Sequence, residues 1–249
     1  MSSDPPRLYG ELAPWFHLLT APEEYAEEAA FFLGQFTDAL GEAPRTLLEL
    51  GSGGGNMASH YKAHVQATLT DISPEMLALS RTINPELEHI QGDMRDLRLG
   101  RTFDAVLVHD AVCYIASLGD LTSAIETAFV HLRPGGVAVF APDHTRENFR
   151  EATDHGGHDR DGRALRYLEW TYDPDPTDTT YEVAYAYILR EGGQPPRVEL
   201  DIHTDGLFAR ADWLRLLGAA GFVVERRTLV HSDVEPDAHD VFVAIKPGV

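Results

Sequence analysis

The chain has 249 residues and carries 40 Asp and Glu against 20 Lys and Arg, a formal net charge of −20 at pH 7. Nucleic-acid binders need a cationic stripe to displace counterions from phosphates, and anionic membrane surfaces select for the same charge, so neither is an expected partner. Cys113 is the sole cysteine, which excludes an intrachain disulfide and a Cys-based zinc site.

The start, MSSDPPRLYG, has neither the basic n-region nor the apolar h-region of a signal peptide. No apolar run approaches the roughly 20 residues of a membrane span. The expected setting is therefore the cytoplasm, and the expected partner a small molecule. Apolar residues at helical spacing (Tyr25, Ala29, Phe32, Leu33, Phe36) predict a helix over 23–40, opened by Pro22 and closed by Gly41. Thr46–Leu50 reads as a buried strand feeding a glycine turn, and 56–63 as the next helix. Gln66–Asp71 is strand-like, and Ser73-Pro74 has the form of an N-cap followed by proline at the first helical position. A weak strand at 89–92, a strong one at 103–109, a helix over 121–132 and a strand at 137–141 continue the alternation. Such alternation indicates a parallel sheet with helices on both faces.

After Asp143 the pattern changes. Runs at 165–172, 181–189 and 198–203 are strand-like with no helix between them, which predicts an antiparallel sheet. Tyr181, Val183, Tyr185, Tyr187 and Leu189 share one parity, the mark of one sheet face. A helix over 212–220 and two strands, 222–230 and 240–246, close the chain, the last pair antiparallel. The expected architecture is a single α/β domain over 1–249. It divides into a helical cap (1–42), a cofactor-binding half (43–145), an antiparallel β insertion acting as a lid (150–207) and a closing segment (208–249).

The strongest local signal is Glu49-Leu50-Gly51-Ser52-Gly53-Gly54-Gly55 at the end of the first buried strand. Glycines let the backbone turn tightly and let a ligand approach closer than a Cβ allows, and a helix opening there presents N–H groups to it. Two cofactor classes use this geometry. The dinucleotide fingerprint G-x-G-x-x-G/A, read from Gly51, meets Asn56 where a small residue belongs. The register E-x-G-x-G-x-G fits Glu49, Gly51, Gly53 and Gly55, and resembles motif I of class I S-adenosylmethionine-dependent methyltransferases. Asp71, Gly92-Asp93-Met94, Phe103-Asp104-Ala105-Val106 and Leu132-Arg133-Pro134-Gly135-Gly136 follow in the order and spacing of that family. The Asn-Pro-Pro-Tyr signature of many nucleobase and glutamine methyltransferases is absent after the fourth strand.

The resemblance implies a Rossmann-like class I methyltransferase sheet and S-adenosylmethionine as cofactor. On the cofactor side it implies Glu49, Gly51, Ser52, Gly53 and Gly55 at the methionine end, and Asp71 with Ile72 at the ribose. Gly92, Asp93 and Met94 would surround the adenine, with Met76 (and Leu77) as its apolar floor and His109 beside the donor. Each has a plainer alternative: an Asx turn for Asp71, a capped loop for Asp93, ordinary core for Met76. The flanks, with Tyr9 to Ala13, GDMRDLRLGRTFDAV and Gly206–Phe208, are most similar to small-molecule N-methyltransferases that dimethylate amino groups of nucleotide-linked deoxysugars. That likeness places Tyr9 near the methyl donor.

An alcohol, or an amine arriving protonated, needs a base. His109 and His144 are the candidates, with Tyr9 beside them. Substrate contacts are expected from Trp15, Asp110, Tyr114, Tyr167 and Trp170, the aromatics forming either a wall around an amine or plain sheet packing. Arg150, Arg160, Arg163 and Arg166 are either phosphate partners or solvated. Asp154-His155-Gly156-Gly157-His158-Asp159 reads as a mobile loop over the substrate, with no metal expected. The expected activity is methyl transfer to nitrogen or oxygen of a small molecule by in-line displacement, and for assembly only the general frequency of C2 pairs points to a homodimer. A nicotinamide-dependent oxidoreductase and a non-catalytic S-adenosylmethionine-binding protein are the alternatives.

Overall fold

A computed structural model describes residues 6–232 and 239–248. The first five residues of the expected cap and the stretch before the last strand lie outside the described residues. In chain order the elements are α1 (Phe16–Leu19), α2 (Ala26–Leu40), β1 (Thr46–Leu50), α3 (Asn56–Tyr61), β2 (Gln66–Asp71), α4 (Pro74–Ile83), β3 (Glu88–Gln91), β4 (Phe103–His109), α5 (Leu118–Val130) and β5 (Leu132–Ala141). There follow β6 (Ala152–Gly156), β7 (Asp159–Arg160), β8 (Arg163–Tyr172), β9 (Thr180–Glu191), β10 (Arg197–Gly206), α6 (Arg210–Ala219), β11 (Val223–Thr228) and β12 (Asp240–Ile245).

One sheet has the order β11-β12-β5-β4-β1-β2-β3. Strands β1 to β5 pair in parallel, and β12 and β11 add antiparallel. Alternate residues of the buried strands serve opposite faces, as a period of two requires. Leu48, Leu50, Val106 and Val108 join Leu121, Ile125 and Trp213 on the α5 and α6 side. Leu47, Leu69, Ala105 and Leu107 join Phe32, Phe36 and Tyr61 on the α2 and α3 side. Asp104 accepts from the backbone N–H groups of Arg45 and Thr46 and from Arg133, which ties the entry to β1 to that of β5. The strand order reverses between β1 and β4, so a crevice opens outside their carboxyl ends, where ligands of such sheets sit.

The second sheet, β10-β9-β8-β6 with β7 on β8, is antiparallel throughout. The shared parity read along β9 is its inner face. Tyr187 and Leu189, with Leu165 of β8, pack on Leu8, Leu12, Trp15 and Leu18 of the N-terminal segment. That segment thus bridges the second sheet and the crevice.

Three expectations change. The segment 154–159, expected as a mobile loop, is largely strand: Asp154–Gly156 complete β6 and Asp159 opens β7, with Gly157 and His158 between them, and β6 takes its order from the backbone ladder to β8, a gain that Asp-His-Gly residues of low strand propensity do not advertise. Pro22–Tyr25 is a 3₁₀ turn, so α2 begins at Ala26. Strand β5 starts at Leu132, with Pro134 to Gly136 carried as an irregularity opposite Phe103–Ala105. Among the described residues, no helix is long and apolar enough to cross a membrane.

Candidate active site

The turn after β1 bends through three glycines in the left-handed region: Gly51 at φ 79°, Gly53 at 52° and Gly55 at 77°. A Cβ on Gly51 would stand 2.2 Å from the Ala111 Cβ. One on Gly55 would stand 2.2 Å from Ser80 Oγ. Gly51 therefore lets Ala111, in the turn after β4, close against the turn after β1, and Gly55 lets α3 pack on α4. Three N–H groups of the turn are used internally. Those of Gly51 and Ser52 donate to the Thr70 carbonyl at 2.8 Å, and that of Gly53 to Asp71 Oδ2 at 2.8 Å. The turn offers space rather than an array of donors, and α3 is only six residues long.

Asp71 clamps this turn. Its Oδ1 accepts from Ser73 N–H at 2.8 Å, an Asx turn, while its other oxygen holds Gly53. Burial raises its pKa, and these backbone bonds resist the rise. Glu49, buried at the end of β1, bonds the Tyr61 hydroxyl. Burial pushes its carboxyl up to about 7, against the lowering effect of Tyr61 and His109.

A cavity of about 1040 Å³ runs from this turn to the second sheet. On the crevice side it brings together Glu49, Gly51, Ser52, Gly53, Asp71, Ile72, Gly92, Asp93, Met94 and His109. Toward the second sheet it adds Tyr9, Asp110, Tyr114 and Tyr167. Ser52 Oγ is buried there without a protein partner. Ile72 is 61% exposed, an apolar plate held open over a polar rim. Asp93 is forked to the Arg95 guanidinium, Oδ2 to Nη2 at 2.6 Å, which is the main reason its pKa falls. An apolar plate, three acids at stations along the crevice and a Cβ-free cradle fit a nucleoside with a cationic tail.

The remaining expected residues fall elsewhere. Met76 is fully buried, its Cε 3.7 Å from where a Gly53 Cβ would stand, so it supports the turn from below. Gly55 faces Ser80 and Asn84. Trp15 lies in the N-terminal cluster under the Arg163 guanidinium, 3.8 Å from its ring centroid. Trp170 is 53% exposed on the outer face of the second sheet, against Tyr172. His144 packs on Phe149, Tyr181 and His239 outside the cavity, and burial with the neighbouring His239 lowers its pKa to about 4. None of the four arginines lines the cavity: Arg160 pairs with Glu23, Arg163 with Glu191 and Arg166 with Asp159, while Arg150 bonds the Phe149 carbonyl.

His109 does line the cavity, but not as a base. Its Nε2 is 2.8 Å from Asp110 and 3.7 Å from Glu28. Burial works against the imidazolium, yet those two carboxylates outweigh it and hold the pKa well above the ordinary histidine range. An imidazolium has no lone pair to accept a proton. Asp110 sits at φ 49° and ψ −64°, a strained conformation for a residue with a Cβ, directly at the mouth of β4.

Four polar residues were not expected here. Asp143 and Glu169 line the cavity, and burial raises the pKa of both. Behind the wall, His203 Nδ1 is 3.2 Å from the Tyr114 hydroxyl, and His203 Nε2 is 3.1 Å from Asp201. The available signal was parity: Asp201 and His203 alternate with Leu200 and Ile202 along β10, so one of the two sets must point inward.

A family model described as a methyltransferase domain matches residues 48–140. The chain is 29% identical over 226 residues, 90% of its length and 92% of the relative's, to the dTDP-3-amino-3,4,6-trideoxy-alpha-D-glucopyranose N,N-dimethyltransferase of Streptomyces venezuelae. It is 31% identical over 156 residues, 62% of its length and 60% of the relative's, to the dTDP-3-amino-3,6-dideoxy-alpha-D-glucopyranose N,N-dimethyltransferase of Streptomyces fradiae. Among solved structures it resembles DesVI of Streptomyces venezuelae, with a TM-score of 0.81 and 26% identity over the whole of both chains.

Proposed function

We propose that this chain, a class I S-adenosylmethionine-dependent methyltransferase, moves methyl groups to the amino nitrogen of a small sugar acceptor. The observation that carries the reading is the ring of carboxyl groups, Asp110, Asp143 and Glu169, in the same cavity as the glycine cradle. A cation bound there would offset the burial that raises the pKa of Asp143 and Glu169, which suits an ammonium, and its neutral amine is the nucleophile. The curated relatives act on amino sugars, which fits that chemistry.

When bound, S-adenosylmethionine supplies an electrophilic methyl group on a sulfonium. Gly51 and Gly53 would leave room for its amino-acid end, with Glu49 as the facing acid. Asp71 would accept the ribose hydroxyls on lone pairs left by its two backbone bonds. Ile72 and Met94 would flank the adenine and Asp93 its amino group. The acceptor nitrogen would stand in line with the carbon–sulfur bond, held against Tyr9 and Tyr114. The N-terminal segment and the second sheet would exclude water as a lid. The proposal rests on the amine and not on a nucleotide, because the arginines expected to hold phosphates are paired away from the cavity.

The test is mass spectrometry of acceptors incubated with S-adenosylmethionine: a dTDP-linked 3-amino-3,6-dideoxyhexose and the same amino sugar without its nucleotide. Gain of one and then two methyl groups on nitrogen is the expected result. Methylation confined to a hydroxyl would overturn the nitrogen assignment.

The outer face of the second sheet exposes Leu168, Trp170, Ile188, Val198, Leu200 and Ile202, aligned by the β8-β9-β10 register. So continuous an apolar face exceeds the scattered exposure usual on monomers. We assign it to a second copy of the chain, packed face to face about a two-fold axis. Light scattering should give a dimer for the wild type and a monomer for Leu200→Glu; a wild-type monomer would end the assignment.

A further inference from the structure

Strand β10 is turned inside out. Val198, Leu200 and Ile202 are 68%, 59% and 50% exposed, whereas Asp201, His203 and Asp205 are 5%, 2% and 3% exposed. Burying polar groups costs free energy unless each finds a partner, and a fold that accepts this cost on three successive inward positions is violating a local rule for a reason. The partners lead straight to the cavity. Asp201 Oδ2 accepts from Leu8 N–H at 2.9 Å and stands 3.1 Å from His203 Nε2. His203 Nδ1 stands 3.2 Å from the Tyr114 hydroxyl, and that hydroxyl 2.5 Å from the Tyr9 hydroxyl. Tyr9 and Tyr114 line the cavity; Asp201 and His203 do not.

The hydrogen-bond directions follow from the carboxylate end. Burial works against ionisation of Asp201, but the hydrogen bonds from His203 and from backbone N–H groups favour its carboxylate. A carboxylate only accepts, so His203 Nε2–H donates to it, and in the neutral imidazole Nδ1 is then the acceptor. Tyr114 then donates to Nδ1, Tyr9 donates to Tyr114, and the Tyr9 oxygen keeps a free lone pair at the cavity wall.

We propose that Tyr9, Tyr114, His203 and Asp201 form a proton relay that deprotonates the acceptor ammonium before methyl transfer. Tyr9 is the group that meets the nitrogen, and His203 and Asp201 are positioning residues acting through the two tyrosines. The proposal rests on the amine reading above. It also fills the place left by His109, which is already an imidazolium, and by His144, which lies outside the cavity.

In the step itself the ammonium N–H bond breaks as its proton goes to Tyr9 Oη. The Tyr9 proton passes to Tyr114 Oη, and the Tyr114 proton to His203 Nδ1. The products are a neutral amine with its lone pair free, two tyrosines as they began, and an imidazolium beside the Asp201 carboxylate. The nitrogen–carbon bond then forms from that lone pair as the carbon–sulfur bond breaks and its electrons go to sulfur. A second methylation needs the same deprotonation again, after the imidazolium has given its proton back through the two tyrosines to solvent as the product leaves. The charged and titratable groups facing His203 are Asp201 and Asp205 on β10, Glu169 on β8, Tyr185 on β9, Tyr9 in the N-terminal segment and Tyr114 with Cys113 in the turn after β4.

The experiment compares wild type with His203→Asn, whose amide oxygen keeps an acceptor near Nδ1 but takes no proton, and with Tyr114→Phe. The probe is the dTDP-linked 3-amino-3,6-dideoxyhexose, followed across the titration of its amine at saturating S-adenosylmethionine. The relay predicts a kcat deficit of about 100-fold where the amine is protonated. The deficit closes as rising pH delivers neutral amine, with both KM values held. A deficit equal at every pH is the signature of a merely structural His203 and overturns the relay, as does no deficit. Absence of any amine methylation by the wild type overturns the amine reading and the relay with it. A turnover-free check is the nitrogen-15 imidazole spectrum: the relay requires the Nε2–H tautomer of His203, with Tyr114→Phe moving the Nδ1 resonance. An Nδ1–H tautomer contradicts it.

Discussion

The two walls of the cavity are built on different principles. The crevice wall is backbone shaped by local sequence: three left-handed glycines, an Asx turn and a carboxylate clamp, all within Glu49–Ser73. The opposite wall is made of side chains brought together from afar, Tyr9 meeting Tyr114 across 105 residues and Tyr114 meeting His203 across 89. A backbone-built wall tolerates almost no change of residue and recognises a ligand held constant. A wall of side chains on an added sheet can vary with the acceptor while the crevice stays fixed.

The comparison breaks most sharply at Gly51. A Cβ there meets Ala111 at 2.2 Å with φ at 79°, so Gly51→Ala should weaken S-adenosylmethionine binding by on the order of 3 kcal/mol or more. Thermal-shift titration reads this, and wild-type affinity in the variant would remove the turn from the site. Asp71→Ala comes next. It loses two clamping bonds as well as the ribose contacts proposed for it, and a loss of about 2–3 kcal/mol in the same titration is expected.

Glu49 sharpens the comparison through pH. Its folded pKa, near 7, stands above the unfolded value, so the folded state holds a proton that the unfolded state releases. Stability from this group is therefore full below the unfolded pKa and declines as pH rises toward 7. Glu49→Gln should flatten that decline, a difference on the order of 3 kcal/mol in denaturant midpoints compared at pH 4.5 and pH 8. S-adenosylmethionine binding should in turn expel the proton, seen as a buffer-dependent heat. The smallest effect belongs to Trp170→Ala on the outer face: kcat should stay within about twofold, and a large loss would mean the second sheet works from both sides.

Legibility in the sequence follows the same division. Strands β1, β2 and β4 were readable to the residue because each is a short apolar run ending in a turn with its own chemistry. The acids Glu49, Asp71 and Asp93 were readable because their place depends on the strand end that carries them. On the second sheet, parity along β9 was readable, and parity applied to β8 would have sent Tyr167 inward and Trp170 outward. Grouping the aromatics by composition hid that difference. His109 looked like a base because proximity to Asp110 and Glu28 is invisible in sequence, and those two carboxylates convert it to a cation. His203 was hidden because a polar residue on an amphipathic strand is ordinarily assigned to solvent, and β10 reverses the rule.

One measurement tests the division directly: the affinity of S-adenosylmethionine for Gly51→Ala and for His203→Asn, titrated side by side with wild type. The account predicts that binding is lost in the first and unchanged in the second, because the crevice wall alone holds the cofactor. Equal losses in both variants would contradict it, showing that the two walls bind as one.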